Sequence, residues 1–350
     1  MSVMQYGKLG ASGLVVSRFG FGVMTFGTAT DGLKGVWKTG QETANELVGH
    51  ALNAGITYFD TADAYSGGES ETMLGKALGA RRRDVVISTK IGFRVEGTAL
   101  LAAGLSYRRV FEAVEDSLRR LSTDYIDVLS LHVPDPYTPL DETLRALEDL
   151  VRRGWARYVG YSNYPVWQAA TMLERQRARG YSPMAAAQMY YSLLGRDLEL
   201  AHLPFARASG VGTVVWSPLA GGFLSGRYSK ADPGGGGGRL ADFDFIPMDK
   251  KRAYDAVESI RRMAQQRGCS VPQLALAWLL TKEVDVVLLG SSKAQQLEEN
   301  LGALDVHLSA AEIETLDAIA PPALPYPAWY LAKIGGDPAV AKALSNEDIS

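Results

Sequence analysis

Cysteine is almost missing from this sequence. Cys269 stands alone, which excludes an intrachain disulfide framework and fits a reducing compartment. Basic clustering is equally thin: 36 lysines and arginines face 39 aspartates and glutamates, for a net charge of −3. The short basic runs at 81–83, 119–120 and 152–153 fall at predicted helix ends or turns, where solvation accounts for them, so a nucleic-acid surface is not indicated. No apolar run approaches the ~20 residues that a membrane helix needs. The opening residues, MSVMQYGKLGASGL, lack a charged stretch followed by an apolar one, so no signal peptide is read there. The expectation is a soluble cytoplasmic protein with no membrane or nucleic-acid partner. The four histidines, His50, His132, His202 and His307, lie far apart and show no metal-ligand spacing, so no metal site is expected. No serine sits in a G-x-S-x-G frame, and Cys269 lies just before a predicted helix rather than in a nucleophile setting.

What the chain does have is alternation. Short β-branched runs at 18–22, 56–60, 84–89, 126–131, 157–161, 185–189, 212–216 and 285–289 alternate with amphipathic segments at 42–54, 69–79, 107–121, 140–153, 165–179, 197–209, 250–267, 271–281 and 293–302. Near-continuous apolar strands separated by helices predict a parallel sheet covered on both faces. Eight such strands predict a closed (β/α)8 TIM barrel of the α/β class. A doubly wound sheet would need a G-x-G-x-x-G turn opening the first helix, and GFGVMTFGTATDG does not supply one. A chain of 350 residues, 47% hydrophobic, accommodates this as one domain. The expected division is a barrel core over about 4–319, preceded by a hairpin at 6–17 that plugs its N-terminal end, with a tail at 320–350. Proline brings that tail into an extended path, with a short helix expected at 337–345. Long irregular stretches at 24–41 and 217–249 follow strands, and so fall on the C-terminal face where barrel enzymes keep their chemistry.

The residues just past the strands converge on that face. They are Asp60 after ITYF, Lys90 in VISTK, His132 in LSLHVP, Ser162 and Asn163 in GYSN, Gln188, and Trp216 with Ser217. Each alone is more often structural than functional; together they form a polar rim. Tyr65, five residues beyond Asp60, suits proton transfer. A free phenol has a pKa of ~10, an adjacent ammonium lowers it, and Lys90 is available to do so with Asp60 holding it by an ion pair. His132 is placed to orient a carbonyl oxygen toward Tyr65. A proton donor with neither nucleophile nor metal needs a partner that brings the hydride, and a nicotinamide cofactor meets that need.

These residues stand within a wider resemblance. YFDTADAYSGGESETMLGKAL, VVISTKIG, LHVPDP, YVGYSNY, WSPLAGGFLSGRY and LLGSSKAQQLEENLGAL occur in order, and with them the chain resembles the aldo-keto reductases over roughly residues 4–319. The resemblance implies carbonyl reduction with NADPH, NADH being the lesser alternative, on a small-molecule aldehyde or ketone, and a catalytic tetrad of Asp60, Tyr65, Lys90 and His132. It also implies that Ser162, Asn163 and Gln188 hold the nicotinamide carboxamide and that Trp216 stacks on its ring. Ser217, Pro218, Leu219, Gly221 and Leu224 would line the pyrophosphate, with Gly290, Ser292, Gln296, Glu299 and Asn300 along the adenosine. Gly22, Val23, Met24 and Asp60 complete the cofactor floor. Arg227, Arg239 and Lys293 are the cations offered to a 2′-phosphate.

Two features depart from the family pattern. Val23 stands where a hydroxyl residue is frequent, so any cofactor contact there is through its backbone. Residues 234–238 are five glycines, but no Gly-Lys-Ser/Thr follows to make a phosphate loop; they read as a flexible insertion, with a cofactor lid as the sharper alternative. GESETMLGKAL reads as an ordinary helix with a glutamate-rich first turn favoured by the helix dipole. Asp63 reads as loop hydrogen bonding. Met24, Trp37, Tyr137, Trp329 and Tyr330 are the substrate-side candidates, and Tyr164 is a further loop aromatic. Two other functions stay open: an alcohol or sugar dehydrogenase working in the oxidative direction, and a cofactor-binding, redox-sensing subunit of a partner such as an ion channel. The sequence does not indicate an oligomeric state.

Overall fold

Strand closure organises the molecule. The computed structural model describes residues 3–28, 36, 39–94, 100–233, 235 and 244–334. A hairpin of β1 (Tyr6–Lys8) and β2 (Val15–Ser17) precedes eight parallel strands. These are β3 (Phe19–Gly22), β4 (Tyr58–Asp60), β5 (Val86–Ile91), β6 (Ile126–Leu131), β7 (Ala156–Ser162), β8 (Met184–Tyr190), β9 (Gly212–Trp216) and β10 (Val286–Gly290). Each barrel strand pairs with its neighbours in sequence, and β10 returns to β3 to close the ring. The fold is therefore the expected TIM barrel with an N-terminal hairpin.

The helices are α1 (Gln41–Asn53), α2 (Glu69–Leu78), α3 (Tyr107–Leu121), α4 (Leu140–Arg152), α5 (Val166–Arg179), α6 (His202–Ser209), α7 (Lys250–Arg267), α8 (Val271–Leu280), α9 (Ala294–Leu301), α10 (Ala310–Ile319) and α11 (Ala328–Ile334). Most match the expected segments within two residues. The segment expected at 197–209 divides into a 3-10 turn at Asp197–Leu200 and α6; Pro204 is tolerated only in a helix's first turn, which sets the start just upstream. Helix α10 is not among the expected segments. Its signal is a capping box, Ser309 and Glu312 exchanging hydrogen bonds at its N-terminus. The helix expected at 337–345, Trp37, Arg239 and most of the 234–238 glycines lie outside the described residues.

Successive strand residues point to opposite faces. Outward residues such as Phe21, Phe59, Ile87, Leu129, Val159, Ala187, Val215 and Val287 build the main core under the helices. Inward residues make a second, smaller core from Tyr58, Val86, Val128, Ala186, Val214, Val286 and Leu288, and the hairpin contributes Leu9 and Val16 to it. Leu9 is fully buried, and the Ala11 amide donates to the Gly210 carbonyl at 2.8 Å. The hairpin thus closes the N-terminal end, as expected. Two residues further along β4, β5, β6 and β8, the inward series turns small or polar: Asp60, Ser88 then Lys90, Ser130 then His132, and Gln188. The interior is apolar at its floor and polar at its mouth.

The layer between is tight. A Cβ on Gly160 would stand 2.7 Å from the Ala186 carbonyl oxygen and 2.9 Å from Ser130 Oγ. Gly160→Ala is expected to lower stability by about 1–3 kcal/mol through overpacking, read as a lower denaturant midpoint at unchanged slope.

His202, at the start of α6, is buried with neither ring nitrogen hydrogen-bonded. Its ring meets that of Tyr161 edge-on at 6.1 Å. Burial pushes the imidazole from 6.5 down to about 4. The folded chain therefore binds this proton less readily than the unfolded chain. Stability is complete above pH 6.5 and falls as the pH drops toward 4, by up to roughly 3 kcal/mol at pH 4. His202→Phe is expected to flatten that window in denaturation curves taken across it; an unaltered pH slope would remove His202 as its source.

Candidate active site

The polar mouth is built around one lysine. Lys90, inward-facing near the end of β5, is fully buried; its Nζ lies 2.7 Å from Asp60 Oδ2 and donates to the Thr61 carbonyl at 2.6 Å. The other Asp60 oxygen accepts from Gln188 Nε2 at 2.7 Å. β4 and β8 stand opposite each other in the ring of eight, so this hydrogen bond spans the barrel interior. Burial works against the lysine's charge, but Asp60 and then Tyr65 outweigh it and hold the ammonium above its ordinary pKa.

The chain after Asp60 explains where Tyr65 goes. The Thr61 and Asp63 amides continue alongside β5, donating to the Ser88 and Lys90 carbonyls at 2.9 Å each, and the Tyr65 amide then turns back to Ala62. This brings the tyrosine ring over the lysine, with Nζ 4.8 Å from its centroid, and the phenol is a hydrogen-bond partner of Lys90. The His132 ring meets Tyr65 edge-on at 5.8 Å. Burial, aided by the positive charge of Lys90, pushes the histidine well below its usual pKa; the imidazole is neutral, and its Nδ1 is buried without a partner. Asp60, Tyr65, Lys90 and His132 are brought together at one point.

Asp63, expected to serve loop hydrogen bonding, accepts from the Ala64 amide and also pairs with a helix. It is buried and points away from the mouth to pair with Arg109 Nη2 of α3 at 3.3 Å. Burial, with Glu71 close by, pushes its carboxyl up to about 7 against the pull of Arg109 and Arg120.

A second network joins the far side of the mouth. Ser162 Oγ donates to the Gln188 carbonyl at 2.7 Å. Asn163, in a left-handed conformation (φ 60°), donates to the His132 carbonyl at 3.0 Å and to Ser162 Oγ at 2.9 Å, while its Oδ1 accepts from Trp216 Nε1 at 3.2 Å. The Trp216 ring tilts against Tyr190 at 5.1 Å. A partly exposed indole beside fixed amides offers both a stacking face and directed polar groups, which fits a flat heterocycle carrying a carboxamide. Beyond it Ser217, also left-handed, accepts from the Gly221 amide at 2.8 Å and opens the 3-10 turn Ala220–Ser225. Within this loop Leu219 and Gly221 are partly accessible, whereas Pro218 and Leu224 are buried, leaving mainly backbone to meet a ligand.

The remaining expected residues are distributed along the same rim. The Val23 amide donates to the Asp60 carbonyl at 2.9 Å; Val23 is buried, and Gly22 and Met24 are half-buried. Gly290 ends β10. Ser292 and Gln296 are half-buried, Glu299 is exposed with its carbonyl accepting from Gln273 at 2.9 Å, and Asn300 is buried. Arg227 and Lys293 are exposed. Tyr137 is 93% exposed, on a loop tied by the Asp135 carboxylate to Leu105, Tyr137 and Thr138. Tyr164 is buried against Tyr161 and anchors its loop. Trp329 and Tyr330 sit on α11, which buries none of its residues; the Trp329 ring meets those of Tyr330 and Tyr326. Phe93, not among the expected residues, lies 4.4 Å from His132 ring to ring and is 40% exposed. Its only signal in the sequence is its place three residues after Lys90.

The model of the aldo/keto reductase family matches residues 18–321, which include every barrel strand and Asp60, Tyr65, Lys90 and His132. The chain belongs to the aldo/keto reductase family. Among its relatives, this aldo/keto reductase is 34% identical over 338 residues to versiconal hemiacetal acetate reductase of Aspergillus parasiticus, covering 90% of this chain and 96% of that one. The family is one of oxidoreductases, and both matches support carbonyl reduction as the class of chemistry.

In this aldo/keto reductase the Lys90–Asp60 pair is also structural. Asp60→Asn leaves a buried ammonium without its counter-charge and is expected to cost about 3–5 kcal/mol. The fall in denaturant midpoint measures it; an unchanged midpoint would show that the pair does not hold β4 to β5.

Proposed function

We propose that the protein is an NADPH-dependent reductase that converts an aldehyde or ketone to an alcohol, with Tyr65 as general acid. The observation that carries this reading is the buried Lys90–Asp60 pair with Tyr65 hydrogen-bonded to the lysine and a neutral His132 at its edge. When bound, the nicotinamide supplies the hydride. Ser162, Asn163, Gln188 and Trp216 are the residues that would hold it, the indole through its face and the others through their polar groups. Such orientation is worth several kcal/mol, toward the ~7–11 that positioning can supply.

The chain's own residues handle the proton. As negative charge develops on the carbonyl oxygen, Tyr65 gives up its phenolic proton to it. Lys90 stabilises the phenolate left behind, and Asp60 keeps Lys90 charged despite its burial. His132, neutral, offers a hydrogen bond that orients the carbonyl oxygen without competing as an acid. Phe93 supplies an apolar wall beside it. The versiconal relative supports the carbonyl class, since a hemiacetal opens to an aldehyde and that protein is named a reductase; its name also favours the reductive direction here. Rim loops set which carbonyl compound fits. Lys293, exposed just before α9, is the cation we assign to the 2′-phosphate.

Tyr65→Phe is expected to abolish reduction of 4-nitrobenzaldehyde while leaving NADPH affinity within about twofold, because the ring stays and only the transferable proton is lost. Turnover and fluorescence titration read the two effects. Retained turnover would overturn the role of Tyr65, and equal affinity for NADH and NADPH would overturn the cofactor preference.

A further inference from the structure

The glutamate-rich turn after Tyr65 does more than favour a helix dipole. Between Tyr65 and α2 the chain reverses through Ser66 and Gly67, both left-handed (φ 48° and 62°), and Gly68 (φ 93°). A serine at such a φ is strained unless its surroundings hold it. The Glu69 carboxylate does so: Oε2 accepts from Ser66 Oγ at 3.1 Å and from the Thr28 amide at 2.7 Å, and Oε1 accepts from Thr28 Oγ1 at 3.0 Å. One side chain therefore joins the residue next to Tyr65 to the loop that follows β3. The junction is close-fitted, since a Cβ on Gly27 would lie 2.2 Å from Ser66 Oγ.

The two residues that follow anchor α2 elsewhere. Ser70 Oγ donates to the Val23 carbonyl at 2.8 Å and meets Thr61 Oγ1 at 3.0 Å. The fully buried Glu71 accepts from Thr89 Oγ1 at 2.6 Å and from Arg120 Nε at 2.7 Å. The helix thus has its own fastenings to the residues just past β3 and β4, to β5 and to α3, and the Glu69 contacts can be removed without releasing it.

We propose that Glu69 is a positioning residue for Tyr65. By clamping Ser66 to Thr28 it fixes the turn that holds the phenol against Lys90 and His132, and it makes the placement of Tyr65 depend on the loop after β3. The activity arm of its test rests on the reading of Tyr65 as proton donor; the exchange arm does not.

Glu69→Ala and Glu69→Gln are compared with the unaltered protein by hydrogen–deuterium exchange, NADPH titration and 4-nitrobenzaldehyde kinetics. Faster exchange is expected in Glu69→Ala at both 23–28 and 62–68, with α2 unchanged. The kcat is expected to fall about tenfold or more from misplacement of the phenol, with NADPH affinity within about twofold. Glu69→Gln, which keeps one acceptor oxygen, should recover part of the kcat, and it carries the same measurements if the alanine variant does not fold. Exchange confined to α2, or unchanged, overturns the proposal, as does a kcat within about twofold of the original. A merely structural role would lower the melting temperature and leave kcat intact, which also overturns it. If the unaltered protein reduces no carbonyl compound, the reading of the active site falls, and exchange at the two loops alone decides the clamp.

Discussion

The buried pair of Asp60 and Lys90 is the constraint around which the mouth of the barrel is arranged. Removing an ammonium and a carboxylate from water is costly, and the cost is met only when both are fully hydrogen-bonded. Here the lysine donates to Asp60 and to the Thr61 carbonyl, and the carboxylate takes the lysine on one oxygen and Gln188 on the other. Those partners come from adjacent strands and from the opposite wall. Satisfying one charge pair therefore fixes the relative position of β4, β5 and β8, and Tyr65 and His132 are placed against a frame already set.

Much of this arrangement is legible in the order of the amino acids. β-Branched runs separated by amphipathic segments mark all eight barrel strands, because strands covered on both sides must be apolar throughout. Asp60, Lys90 and His132 stand out because each follows an apolar run, where a polar residue has no packing reason to be. Tyr65 is legible through its spacing from Asp60, and the resemblance to a family supplies the rest. Helix α10 is hidden because its capping signal is short and its apolar stripe is weak; only Leu316 is buried.

Contacts between residues distant in the chain are the part that local pattern conceals. Nothing in ESE foretells that Glu69 fastens to Ser66 and Thr28, Ser70 to Val23 and Thr61, and Glu71 to Thr89 and Arg120, or that Asp63 turns its carboxylate toward Arg109, 46 residues later. Asn163 likewise reaches back to the His132 carbonyl and across to Trp216, linking β6, β7 and β9 through one amide. Local pattern encodes which face a residue occupies; it does not encode which partner waits on that face until the strand order is known.

The alternation along the strands has a further consequence. Lys90 faces inward between Thr89 and Ile91, which face the helices, and Asp60 follows Phe59 in the same way. A slip of one residue in either strand would carry an apolar side chain into the reaction chamber and send a charge into the oil beneath the helices. Misthreaded barrels are thus penalised twice, once in stability and once in chemistry. One alternation along the strands therefore constrains both the packing of the barrel and the polar groups that its mouth can present.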